Sequence, residues 1–289
     1  MARHRVTDPA AIYRKPHEPV AVDCHVHLFP EKLFRAIREW FKGVGWEIPY
    51  PYAHGEVLAA LKGFGVAEVW ALPYAHRPGV AEGLNAWMAG IARAEPMVRG
   101  FFTVHPADAD PRAIAQRALD VHNLEGMKLH AEVQELGVDD PRLDGVFSLL
   151  EERGAPCVLH TGDAPYPYTK DNLDVARVAA RLKRNPALKA VIAHLGANQT
   201  GDYLALTEKY PGLHLEVSFT NFPGSEKYGR PDFDALRAHR DRLLFGSDFP
   251  NLTFTYADQA DAWWDLDWVK ADAEMFFGGR ARALLPPRK

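Results

Sequence analysis

The sequence predicts an α/β fold, a single (β/α)8 TIM barrel, on three observations. Eight strand-sized apolar runs recur at intervals of roughly 25 to 35 residues, with one longer interval after the first. Helical patterns fill the gaps between them. Several runs end in a residue able to ligate a metal, at the strand ends where barrel enzymes carry their chemistry. The length of 289 residues also suits one such barrel.

Residues 1–18 carry charges and two prolines but no apolar segment of signal-peptide type. The first 19 residues therefore read as an N-terminal arm, and residues 20–289 as the barrel. AVDCHVHLF (21–29) is the first strand, nearly continuous in apolar character, as strands buried on both faces are. Residues 30–65 leave room for an extra helix or lid beside its end. VAEVWALPYA (66–75) and VRGFFTVHP (98–106) supply the second and third strands. PRAIAQRALDVHN (111–123) opens a helix with Pro111 behind Asp110, a first-turn signature. GMKLHAE (126–132) is the fourth strand, followed by the helix DDPRLDGVFSLLEERG (139–154), which Gly154 closes. APCVLHTGD (155–163) is the fifth, and the helix DNLDVARVAARLKRN (171–185) stops before Pro186. LKAVIAHLG (188–196), LHLEVSFT (213–220) and RLLFGSDFP (242–250) complete the eight.

Composition narrows the function classes. A net charge of −4 and a pI near 6.4, with no run of Lys and Arg, argue against nucleic acid as a partner. The apolar runs are too short for a transmembrane helix, so no membrane association is expected. Two cysteines fit a reducing compartment, the cytoplasm. By strand alternation Cys24 and Cys157 should both face the helix layer as free thiols. The tryptophans of AWWDLDW (262–268) recur at helix-face spacing and suit core or homo-oligomer packing.

The polar residues at the strand ends form a set. Alternate side chains of a strand share a face, so His25 and His27 project together. His160 ends the fifth strand, His194 the sixth and Asp248 the eighth, while Lys128 and His130 share a face on the fourth. One such histidine alone is more often a core residue, but several at barrel strand ends point to a site. Three histidines and one carboxylate match what Zn²⁺ or another late first-row divalent ion requires, with an open position for water.

The order His-x-His, Lys, His, His, Asp on strands one, four, five, six and eight resembles the amidohydrolase superfamily. The phrases GMKLHAEVQELGVDDPRLDGVFSLLEERGAPCVLHTG, VIAHLG, LFGSDFP and FFGGRARALL are similar to the amidohydrolase-2 branch, over residues 20–286. That branch includes aminocarboxymuconate-semialdehyde decarboxylase, aromatic-acid decarboxylases, dicarboxylate lactonases and many hydrolases. The resemblance implies one metal, Zn²⁺ before others, held by His25, His27, His160 and Asp248. It implies catalytic roles for Asp248 and His194. In binuclear members the strand-four lysine is carboxylated and bridges two metals; Lys128, His160 and His194 would then serve a second ion. The local wording favours the mononuclear form, with Lys128 an ordinary ammonium beside the substrate and His130 lining the pocket. Glu216 stands where the branch often has an aspartate, as a buried polar partner.

Residues in the loops after the strands are candidates for substrate contact. Tyr74, His76 and Arg77 follow the second strand and His105 ends the third. Tyr166, Tyr168 and Lys170 follow the fifth, Asn221, Tyr228 and Arg230 the seventh, and Asn251 the eighth. Arg77 and Arg230 are suited to a carboxylate fork. The resulting expectation is a metal-dependent hydrolase of a small carbonyl compound, an amide, ester or lactone, whose substrate can be anionic. The first alternative is metal-dependent decarboxylation of an aromatic or unsaturated acid. The second is a ligand-binding barrel without catalysis, which a missing ligand would favour; none is missing.

Overall fold

A computed structural model of the chain describes residues 11–161, 174–228 and 230–287. All eight predicted runs are strands: β1 (Val22–Val26), β2 (Glu68–Ala71), β3 (Val98–Phe102) and β4 (Gly126–His130), then β5 (Cys157–His160), β6 (Ala190–Ile192), β7 (Leu213–Glu216) and β8 (Leu243–Leu244). Each pairs in parallel with the next in chain order. Backbone bonds from Cys24 N to Phe245 O (3.1 Å) and His27 N to Phe249 O (2.8 Å) bring the eighth strand back to the first. Most strands end before their apolar run does, because the chain leaves the ladder at its C-terminal end to form the turns that carry the polar side chains.

Helices fill the connections as the periodicity requires. The long section after β1 holds two, α1 (Glu31–Gly43) and α2 (His54–Phe64), so it does contain the extra helix. Then come α3 (Ala81–Ala94), α4 (Pro111–Asp120), α5 (Asp144–Arg153), α6 (Val175–Arg184) and α7 (Thr200–Lys209). Asp110 caps α4 through Ala113 N, and Gly154 takes a left-handed φ of 58° to end α5. No described helix is long and apolar enough to cross a membrane.

Two apolar layers follow from strand alternation. Val26, Ala71, Phe102, Leu129 and Leu159 face the helices. Val22, Trp70, Phe101, Val158, Val191 and Leu244 fill the barrel interior, with Leu284 and Leu285 packed against them. The polar site stands on this packed interior.

Cys24 corrects the sequence expectation. It lies in the interior cluster with Val22 and Trp70, not in the helix layer. The cause is a register irregularity between Asp23 and Val26, where three steps along β1 match two along β2. The extra residue breaks the alternation, so Cys24 and His25 both face inward. Cys157 does face the helix layer, and both thiols are free.

His214 on β7 makes stability depend on pH. Burial lowers its pKa to about 4, against the raising effect of its bond with Gly212 O. The folded state therefore binds fewer protons than the unfolded chain, and stability present above about pH 6.5 is lost as pH falls towards 4. The expected loss is on the order of 3 kcal/mol. A His214→Gln variant should show a smaller drop in melting temperature between those pH values; an unchanged drop would refute the assignment.

Candidate metal centre

Two imidazoles of β1 and its extension are each fixed by their far nitrogen. His27 Nδ1 lies 2.7 Å from Leu72 O, a carbonyl that only accepts, so Nδ1 carries the hydrogen. His25 Nδ1 lies 2.9 Å from Glu216 Oε1 and donates to that carboxylate. Both lone pairs are therefore on Nε2, and these two atoms face one another at 3.2 Å. Asp248 Oδ1 joins them, 2.9 Å from His27 Nε2 and 3.8 Å from His25 Nε2. Three donor atoms meeting in a buried place are stabilised by a cation or a proton among them. Two imidazole nitrogens and one carboxylate oxygen are the donor set of a late first-row divalent ion, so the residues fit a metal.

The electrostatics keep these groups in ligand form. Burial, then the Lys128 charge, holds the His25 pKa well below the ordinary imidazole value. Burial pushes the Asp248 carboxyl up, but the positive charge that His25 and His27 bring when protonated outweighs it and holds it at about 2; a metal ion in place of those protons would act in the same direction. Asp248 has a φ of +67°, a strained conformation stabilised by a surrounding network. Asp23, buried behind it, accepts from Ser247 N (3.0 Å), Ser247 Oγ (2.6 Å) and Tyr256 OH (3.1 Å). Burial drives the Asp23 pKa up to about 7 despite those bonds.

Glu216 is the hub on the other side. Besides His25, its Oε1 accepts from His194 N (2.7 Å) and Ser218 Oγ (2.8 Å), and its Oε2 from Ser218 N (2.8 Å). Glu216, His25 and His194 form a second group of potential ligands. His194 sits in a tight turn over Ala193–Gly196 with φ +55°, which aims its ring at the centre. Its Nε2 lies 3.1 Å from His160 Nδ1, and His130 stacks on His160 with ring centroids 3.8 Å apart. Of the expected ligands, His25, His27 and Asp248 are thus brought together, whereas His160 reaches the group through His194.

Lys128 is wholly buried, with Nζ 3.2 Å from His25 Nε2. Burial lowers its pKa to about 8, and the Asp248 and Glu216 charges offset part of that. Tyr74 is buried at the mouth, its ring 5.5 Å from His27, 4.9 Å from Phe29 and 4.9 Å from His130. Burial, then the Asp248 charge, raises its pKa, so the phenol stays protonated.

The remaining candidates separate. His76, Arg77, His105 and Arg142 line a neighbouring cleft of about 520 Å³ on the same rim. Arg77 has no hydrogen-bond partner among the described residues. Arg230 is exposed over the Phe233 ring, and Asn221 donates to Ala262 O as a structural contact. Asn251 Nδ2 lies 3.4 Å from Asp248 Oδ1. Tyr166, Tyr168 and Lys170 lie outside the described residues, as does the side chain of Tyr228. Sequence reasoning missed Ser218, Ser247 and Asp23. Ser218 had a findable signal, standing two residues beyond Glu216 on the same side of the chain; Ser247, inside Gly-Ser-Asp, has the composition of a turn.

Comparison with known proteins agrees with this architecture. Solved structures with the same fold include an uncharacterised TIM-barrel protein from Bordetella bronchiseptica, 18% identical, TM-score 0.68, covering 91% of this chain and 98% of that one. 5-Carboxyvanillate decarboxylase from Sphingomonas paucimobilis is 16% identical, TM-score 0.65, covering 92% and 99%. 5-Carboxyvanillate decarboxylase from Novosphingobium aromaticivorans, complexed with manganese and 4-hydroxy-3-methoxy-5-nitrobenzoic acid, is 14% identical, TM-score 0.65, covering 93% and 97%. No curated protein matches the chain. The amidohydrolase-2 family model, described as amidohydrolase, matches residues 22–286, nearly the whole barrel, and the chain belongs to that family.

Proposed function

We propose that this chain is a metal-dependent cytoplasmic hydrolase, with zinc first among its ions, acting on a small amide, ester or lactone that carries a carboxylate. The observation that supports this reading is the convergence of His25 Nε2, His27 Nε2 and Asp248 Oδ1 beside the buried Lys128 ammonium. A divalent ion held by His25, His27 and Asp248 would supply the Lewis acidity that makes water nucleophilic at neutral pH. Asp248, kept ionised by its two histidines, takes the proton of the attacking water and returns it to the leaving group. His194 orients that water. Lys128, costly to bury without a counter-ion, pairs with the substrate carboxylate. Tyr74 donates its hydroxyl hydrogen to a substrate oxygen, and the rings of Phe29 and Phe219 shield the reaction from bulk water.

Decarboxylation is the second reading, favoured by the same buried ammonium and by the two 5-carboxyvanillate decarboxylases that share the fold. The test offers zinc-loaded protein a panel of carboxylate-bearing lactones, esters and amides, alongside aromatic acids. Acid release and CO₂ are followed separately. The expected result is acid release that falls roughly 10²-fold or more in Asp248→Asn. Lys128→Met should raise KM about 10-fold or more for a carboxylate-bearing ester but not for its neutral counterpart. CO₂ without hydrolysis would establish the second reading, and neither activity with metal bound would leave a ligand-binding barrel.

A further inference from the structure

We propose that Ser218 is a positioning residue that fixes His194 as the Nδ1–H tautomer, making Nε2 its basic nitrogen. The inference rests on the reading of His194 as a group that acts at the metal centre.

Ser218 is fully buried beyond the end of β7. A hydroxyl has one hydrogen to give. Ser218 Oγ gives it to Glu216 Oε1, 2.8 Å away, the oxygen that also accepts from His25 Nδ1 and His194 N. The same Oγ lies 2.7 Å from His194 Nδ1 and, its hydrogen spent, can only accept there. Two further acceptors surround Nδ1: Ser218 O at 3.4 Å and Glu216 Oε1 at 3.8 Å. No donor offers Nδ1 a hydrogen among the described residues, so a neutral His194 carries its own on Nδ1. The lone pair is left on Nε2, which lies 3.1 Å from His160 Nδ1.

Glu216 makes this more than a local bond. Its Oε1 also accepts His25 Nδ1–H and the backbone N–H of His194. One buried oxygen therefore sets the tautomer of a metal-type ligand directly and that of His194 through Ser218. Without the serine hydroxyl, only the longer approaches of the residue 218 carbonyl and Glu216 Oε1 would remain at Nδ1, and the tautomer would be held far less firmly.

Imidazole ¹⁵N spectra of the full-length protein, stripped of metal by chelation and labelled at histidine, test the assignment. The His194 signals are identified by their loss in His194→Asn. In wild type they should show a single neutral form protonated at Nδ1. Ser218→Ala should give a mixture with a substantial Nε2–H population, and Ser218→Thr, which keeps the hydroxyl, should restore the wild-type pattern. A wild-type His194 protonated at Nε2, or an alanine variant unchanged from wild type, would overturn the proposal. Should the alanine variant not fold, the wild-type tautomer decides alone. Because no turnover is read, failure of the hydrolase reading leaves this result standing, and the reverse also holds.

Discussion

The double variant His25→Ala/His27→Ala is expected to retain no tightly bound divalent ion, against about one per chain in the wild type. Both Nε2 atoms point into the same space, each left available for a metal by the partner of its Nδ1. Removing them leaves Asp248 as the only member of that group. A complete protein zinc site is worth about 10–16 kcal/mol, so losing two of its donors should weaken affinity by at least roughly 10³-fold. Elemental analysis after dialysis against a weak chelator reads this directly. Circular dichroism should show a folded barrel, since the apolar interior is untouched. Full metal occupancy in the double variant would remove the site from this end of the barrel.

Gly246→Ala should place a damaging methyl group beside the centre. Gly246 lies between β8 and Asp248, and an added Cβ would stand 2.5 Å from Glu216 Oε2 and 2.9 Å from His25 Cβ. Neither neighbour can yield. Glu216 is held by four hydrogen bonds, and moving it strips His25, His194 and Ser218 of their acceptor. Overpacking costs about 1–3 kcal/mol, and disturbing a buried carboxylate adds to it, so a loss of about 3 kcal/mol is expected. In a chain of this size that lowers the melting temperature by about 6–12 °C. Metal affinity should fall with it, by about 10–100-fold, because the partner of a ligating histidine is displaced. Gly201→Ala is the control: nothing lies within 4 Å of its Cβ position in α7, so it should be neutral or slightly stabilising. Equal melting temperatures for the two variants would contradict the packing described around Glu216.

The residues that give the site its chemistry were legible as types at strand ends. His25, His27, His194 and Asp248 each close an apolar run, and the barrel gathers such ends on one face. Lys128, which reaches the site from a strand, was legible through alternation, a local property, and Glu216 through the family resemblance. Loop residues were not. Arg77 and Arg230 look alike in sequence, yet one lines a cleft on the rim while the other lies on a ring at the surface. Where a loop side chain ends up depends on packing between distant segments.

By itself the sequence determined the eight-strand barrel, the room for an extra helix after β1 and the histidines and aspartate at the C-terminal ends of its strands. Periodicity, caps and composition are local, and for those features local preference agrees with the final fold. Only the tertiary structure decided three things. The register irregularity in β1 turned Cys24 inward, because strand pairing, not alternation within one strand, fixes which residue is the extra one. The hydrogen-bond partners across the barrel, Glu216 with His25 and Ser218 with His194, decided which ring nitrogens carry lone pairs. The packing of β5 against β6 set His160 on His194 rather than directly on the His25–His27–Asp248 group. Each of these is a pairing between separate strands, which no pattern within one strand encodes.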